Sequence, residues 1–189
     1  MIYQLGNHII RELALRDDYD VNLICQHLAK IVPPQLSKYD NYLLSLAGHK
    51  RITSIIPILI NCLGIDGFES NEAVSALVRI GSKAIVTAIA SRYYHENEFF
   101  KIHAIKVLES IKTQDSEDML LRLLNEETHF ILKIILVGAL CKHGNQYGFT
   151  ELFNLIGENE ELVYTYLDDY IYLPCLLNDE IAYEMESLK

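Results

Sequence analysis

Ala76-Leu77-Val78-Arg79-Ile80-Gly81-Ser82-Lys83-Ala84-Ile85 is the stretch on which the fold turns. It reads as the end of one helix, a glycine stop and the start of a second helix, because only Gly enters the left-handed C′ conformation without a Cβ penalty. The same pattern recurs along the chain. Leu43-Leu44-Ser45-Leu46-Ala47-Gly48 lies upstream, and Val107-Leu108-Glu109-Ser110-Ile111-Lys112 and Ala139-Leu140-Cys141-Lys142-His143-Gly144 lie downstream, at spacings of 33, 31 and 32 residues. Leu44, Leu77, Leu108 and Leu140 hold one position, and Gly follows four residues later in all but the third copy. Self-similarity at this period is the mark of a helical solenoid.

The second half of each copy agrees. Eight residues past the Gly position stand Ile56, Ile89, Leu120 and Leu152, and eleven past it stand Leu59, Arg92, Leu123 and Leu155. These offsets lie about 60° apart on a helix and form a buried stripe that only Arg92 interrupts. Each copy is therefore two helices, with Lys112 in place of Gly predicting a looser turn in the third. Thr113-Gln114-Asp115-Ser116-Glu117-Asp118 supplies a capping hydroxyl and early acids ahead of Met119-Leu120-Leu121, which marks a helix start. Upstream, Asp17 to Asp20 precede the apolar pattern Val21, Leu23, Ile24, Leu28, Ile31, and Pro33-Pro34 stop it. The β-branched pairs Ile55-Ile56 and Ile134-Ile135 sit in helical spacing, so no sheet is expected.

The whole reads as all-α, a right-handed α-α superhelix in one domain: capping helices over 1–34, four repeats over 35–156, and an acidic, tyrosine-rich cap over 157–189. At this point the residues resemble the HEAT-like helical repeats, including the short variety of phycobilin lyase-type proteins. The likeness covers about Gln35 to Ile156 and is best at Ala76 to Ile85, with Lys101 and Lys133 where that family often carries a basic residue early in the first helix. Asp66-Gly67, the stretch Tyr93 to Phe100 and Lys112 depart from the family's short turns.

Composition limits the function classes. Of 189 residues, 50% are apolar and 22% charged, enough to bury a core; sixteen Lys and Arg face twenty-six Asp and Glu, a net charge of −10. Such a balance disfavours nucleic acid and anionic membranes, both of which are held by Lys and Arg. The longest apolar stretch, Ile131 to Cys141, is broken by Lys133 and falls short of a bilayer span. No signal peptide is read at the N-terminus, and Cys25, Cys62, Cys141 and Cys175 are too scattered for a disulfide framework. A cytoplasmic protein, of bacterial type by the resemblance, with reduced thiols is expected.

Catalytic chemistry was sought by spacing. No HExxH or HxxxH pair occurs, and Cys141-x-His143 lacks the second pair a tetrahedral metal site needs. His95-Glu96 are adjacent residues that point apart on a helix, and Asp168-Asp169 lack further oxygens for a metal. Phosphate-loop and nucleophile-elbow motifs are missing. No catalytic residue, cofactor or metal is assigned. Alkylpurine DNA glycosylases share the HEAT-like architecture, but they line the concave wall with basic and aromatic residues including Trp. This chain has no Trp and places only Arg122 on that wall.

A binding surface is what remains. Offsets of six, ten and thirteen from the Gly position lie opposite the buried stripe and read Ser54, Ile58, Asn61; Thr87, Ser91, Tyr94; Asp118, Arg122, Asn125; Thr150, Asn154, Gly157. This polar, mostly uncharged wall suits hydrogen bonding to a protein element, and a plain solvated helix face is the alternative. From Gly157 onward nine acids face one base, a net −8, together with five tyrosines. Clustered acids steer a cationic partner while tyrosines supply contact area; a capping helix with a solvated face is the alternative there. The candidate partner-binding residues are Asn61, Ser91, Tyr94, Arg122, Asn125, Asn154, Tyr164, Asp168, Asp169, Tyr170 and Tyr172. The expected role is a non-catalytic module that docks or neutralises a basic protein, for example an immunity-type inhibitor of a toxin. The resemblance implies one other role, a phycobilin lyase-type protein that binds bilin or attaches the chromophore.

Overall fold

A computed structural model describes residues 21–30, 38–65 and 68–163. Among them there are nine α-helices with both bounds described, further helical residues at 160–163, two short 3-10 turns and no strand. The helices are α1 (Val21–Leu28), α2 (Lys38–His49), α3 (Ile56–Cys62), α4 (Phe68–Ile80), α5 (Lys83–Arg92), α6 (Glu98–Ile111), α7 (Gln114–Glu126), α8 (Phe130–His143) and α9 (Gln146–Glu158). The four repeats expected over 35–156 fall on the helices from α2 to α9, each repeat position being occupied by helix. Asp66-Gly67, the cap over 164–189 with Pro174, and most of the N-terminal segment lie outside the described residues.

The repeat leucines are core. Leu44, Leu77, Leu108 and Leu140 are all fully buried, and so are Ile89, Leu120, Leu152, Leu59 and Leu123 of the second-helix stripe. Apolar side chains at this period leave water together only if helices stack on one another, which is the main driving force here.

The chain divides into two compact units, Met1–Ile111 and Lys112–Lys189. In the first, α2 packs on α4 and α4 on α6, so that the first helices of successive copies lie side by side, while α3 packs on α4 and α5. His27 Nε2 and Asp40 Oδ1, 2.8 Å apart, tie α1 to α2. In the second unit α8 packs on both α7 and α9. Helix α8 is buried from Ile134 to Cys141 without a break, so it is apolar all round and needs cover on every side.

Three expectations about the turns need correction. Gly81 and Gly144 take left-handed conformations, φ +60° and +78°, as helix stops should. Gly48 does not: α2 continues through it to His49, and Arg51 is the left-handed residue, φ +53°. Gly48 is instead required for contact, since a Cβ there would stand 2.6 Å from Ala76 Cα. Lys112 makes no looser turn either. It adopts the glycine conformation itself, φ +50°, and the helix restarts at once behind a capping box of Thr113 and Ser116. The stretch Tyr93 to Phe100 is more regular than expected: a 3-10 turn over Tyr93–His95 leads into α6.

Of the thiols, Cys62 and Cys141 are buried and Cys25 is half-buried; Cys175 lies outside the described residues. Among the described residues no helix is long and apolar enough to cross a membrane.

Candidate functional site

The predicted wall faces solvent. Ser54, Asn61, Thr87, Ser91, Tyr94, Asp118, Arg122, Asn125, Thr150, Asn154 and Gly157 are exposed, and only Ile58 is partly covered. Several of its polar groups are engaged by their own helix. Thr87 Oγ1 donates to the Lys83 carbonyl, Ser91 Oγ to that of Ala88 at 2.9 Å, and Thr150 Oγ1 to that of Gln146. Asn154 Nδ2 donates to Glu151 at 3.2 Å, and the Arg122 guanidinium folds back onto Met119 Sδ one turn earlier. These local bonds compete with the helix's own ladder, while the side chains that make them stay exposed.

Asn61, Ser91 and Tyr94 belong to the first unit, and Arg122, Asn125 and Asn154 to the second. Tyr164, Asp168, Asp169, Tyr170 and Tyr172 lie outside the described residues.

In the first unit the wall is tied together by a residue that the apolar stripe rejected. Arg92, the last residue of α5, donates to the Asn61 side-chain carbonyl on α3 and to the Glu96 carboxylate one turn on. Its guanidinium also lies 5.3 Å from the Phe100 ring centroid. An arginine supplies a planar fork of donors, so one side chain joins three elements at once. Asn97 completes the junction. Its Oδ1 accepts from the Phe100 amide at 2.9 Å and caps α6, while its Nδ2 donates to the Gly64 carbonyl at 3.0 Å, just past the end of α3. His103 Nδ1 lies 2.9 Å from the Leu63 carbonyl in the same turn. Side chains of α6 and of the residue that caps it therefore reach the carbonyls just past the C-terminus of α3.

Tyr93 and Tyr94 follow directly. Tyr93 is buried, with Lys101 Nζ 5.3 Å from its ring centroid. Tyr94 stands edge-on to it, centroids 5.6 Å apart at 78°, and is half-exposed. The pairing of His95 with Glu96 as acid and base does not form, because Glu96 is taken by Arg92 and His95 faces solvent. This junction was not predicted as a site. Its signal in the sequence was the single break at Arg92 in an apolar stripe, with Glu96 four residues on, the spacing of a helical ion pair.

Charge follows the division into units. Through Ile111 the chain carries eleven basic and eleven acidic side chains; from Lys112 it carries five and fifteen. The whole net charge of −10 thus belongs to the second unit. Among the described residues Asp118, Glu126, Glu158, Glu160 and Glu161 are exposed there. In the first unit the half-buried Glu72 carboxyl is pushed above the usual carboxylate range by burial, against a smaller downward pull from Arg79. Among the described residues no group of three His, Cys, Asp or Glu side chains gathers to hold a metal.

The class defined by this geometry is, over the described residues, all-helical, with exposed side chains at the predicted polar positions of each unit. No family model, no curated protein and no solved structure matches the chain.

Proposed function

We propose that the chain is a HEAT-like α-solenoid, a right-handed superhelix, that works as a non-catalytic protein-binding module in the cytoplasm and docks or neutralises a basic protein. The observation that carries this reading is the separation of charge: one unit is electrically neutral and the other holds the entire −10. A unit with this much net negative charge draws a cationic protein into encounter, with on-rates that fall as salt rises. The neutral unit offers a different surface, exposed polar positions of which Asn61 is held by Arg92 and Ser91 by its own helix. Pre-ordered side chains cost less entropy when a partner binds. An immunity-type inhibitor that covers the basic active face of a nuclease toxin is one concrete form of such a module.

The test is capture by the tagged full chain at low and moderate salt, with the recovered proteins identified and the binding rate of any basic protein measured. A stoichiometric basic partner whose association slows as salt rises supports the reading. If a variant with its second-unit acids neutralised captures that partner as fast as the unaltered chain at low salt, electrostatic docking is wrong.

A further inference from the structure

We infer that the chain associates head to tail with a second copy of itself, an exposed basic edge on the first unit of one copy taking the exposed acids on the second unit of the other. This goes beyond the docking reading, because the occupant of the acidic unit is here the chain itself.

The first unit is neutral in sum, yet its described surface is basic. No acid occurs from Asn41 to Ile65 or from Ala73 to His95. Among the described side chains of this unit, Lys30, Arg51, Arg79, Lys83 and Lys106 are exposed, and Glu98 is the one exposed acid. Asp40 is paired with His27 and Glu96 with Arg92, while Glu72 and Glu109 are half-buried. The second unit reverses the balance, exposing Asp118, Glu126, Glu158, Glu160 and Glu161 against Lys112 and Arg122.

Three of the first unit's bases share one edge. Gly48, one residue before the end of α2, meets Ala76, four residues before the end of α4, so the turns that follow these helices are neighbours. Arg51 lies in the first turn, and Arg79 and Lys83 flank the second. Arg79 stands at a helix C-terminus, where a cation offsets the macrodipole. Lys83 does not, since it is the first residue of α5, behind the Ser82 cap, where the same dipole disfavours a cation. Helix stability therefore accounts for Arg79 and leaves Lys83 to another role.

Surfaces of opposite sign on one chain are complementary between copies. Contact between two different patches is heterologous, so each association leaves one edge and one acidic unit open for a further copy. Opposite charges bring such patches together, and like charges placed face to face keep them apart.

The experiment is sedimentation velocity of the full chain over a concentration series at low and moderate salt. The average mass is expected to exceed the monomer's as concentration rises at low salt and to return to it as salt rises. Arg51→Glu/Arg79→Glu/Lys83→Glu reverses the edge, and Glu126→Lys/Glu158→Lys/Glu160→Lys reverses the acids. Circular dichroism checks that both fold, and Arg51→Gln/Arg79→Gln/Lys83→Gln stands in for an edge reversal that does not. Each reversal alone is expected to raise the self-association Kd at least about tenfold, and an equimolar mixture of the two to restore association. A mixture that does not associate overturns the inference. So does an unaltered chain that stays monomeric throughout, including one whose edge binds a fluorescent single-stranded oligonucleotide instead; the docking reading, tested by capture of a basic protein, is untouched by that result.

Discussion

Gly48 of α2 meets Ala76 of α4 so closely that a Cβ on the glycine would stand 2.6 Å from the Ala76 Cα and 2.8 Å from its Cβ. Both residues lie within helices that pack side by side in the first unit. The obstacle is backbone, which cannot swing aside. In an exposed helix Gly→Ala stabilises; here Gly48→Ala is expected to destabilise by about 1–3 kcal/mol, as overpacking of a core does. Urea unfolding checks the sign, and a stabilised variant would mean that α2 and α4 do not approach in this way.

Lys112 occupies the conformation that Gly81 and Gly144 occupy in their own turns, φ +50° against +60° and +78°. A residue with a Cβ holds that conformation at a cost of about 1–2 kcal/mol. Lys112→Gly is therefore expected to raise stability by about 1 kcal/mol, somewhat less than the strain because glycine also gains freedom in the unfolded chain. Gly81→Ala and Gly144→Ala should move the urea midpoint the other way.

The buried leucines and the exposed asparagines of the repeat should separate cleanly. Leu108→Ala and Leu140→Ala, at fully buried positions, are each expected to cost about 2–5 kcal/mol. Asn125→Ala and Asn154→Ala, on the exposed wall, should stay within about 0.5 kcal/mol. Equal losses at both sets of positions would refute the register.

Arg92 bridges Asn61 and Glu96 while covering Phe100. Arg92→Ala leaves a partly buried carboxylate without its counter-ion and is expected to cost about 1–3 kcal/mol. Arg92→Lys should recover only part of this, because an ammonium cannot match the planar two-sided geometry. Full recovery by lysine, read from thermal or urea unfolding, would reduce the junction to a simple charge contact.

Glu72 sets a pH dependence whose sign is fixed by burial. Its carboxyl is raised in the folded chain, so the folded state holds the proton more tightly than the unfolded one. The group's contribution favours folding in acid and is lost as pH rises through the folded-state value. Glu72→Gln should consequently be more stable than the unaltered chain at neutral pH, with the gap closing as pH falls into the carboxylate range. A gap that stays constant down to acid pH would show that titration of Glu72 is not its cause.

Helix content and the buried leucine positions were legible in the sequence, because a repeat near 32 residues with a 3.6-residue apolar period has few ways to hide its core from water. The wall was legible by subtraction, as the side opposite that stripe. The role of Gly48 was not. A glycine at a helix end and a glycine at a helix crossing look alike in one dimension, and only the position of Ala76, 28 residues away in the chain, separates them. Lys112 misled for a related reason: local preference favours Gly, yet the lysine takes the same left-handed conformation ahead of the Thr113 cap.

What the sequence determined by itself was therefore periodic: which residues are helical, which face is apolar, and that acids crowd the C-terminal half. The tertiary structure alone decided the junctions. Arg92 looked like a defect in the stripe until Asn61 of α3, Glu96 and the Phe100 ring of α6 met around it, giving its Nε, Nη1 and Nη2 atoms an acceptor each. Periodicity is set by local geometry and burial, and repeats along the chain. A hydrogen-bonded junction depends on the three-dimensional approach of groups distant in sequence, Asn61 and Arg92 being 31 residues apart, and no local pattern encodes that distance.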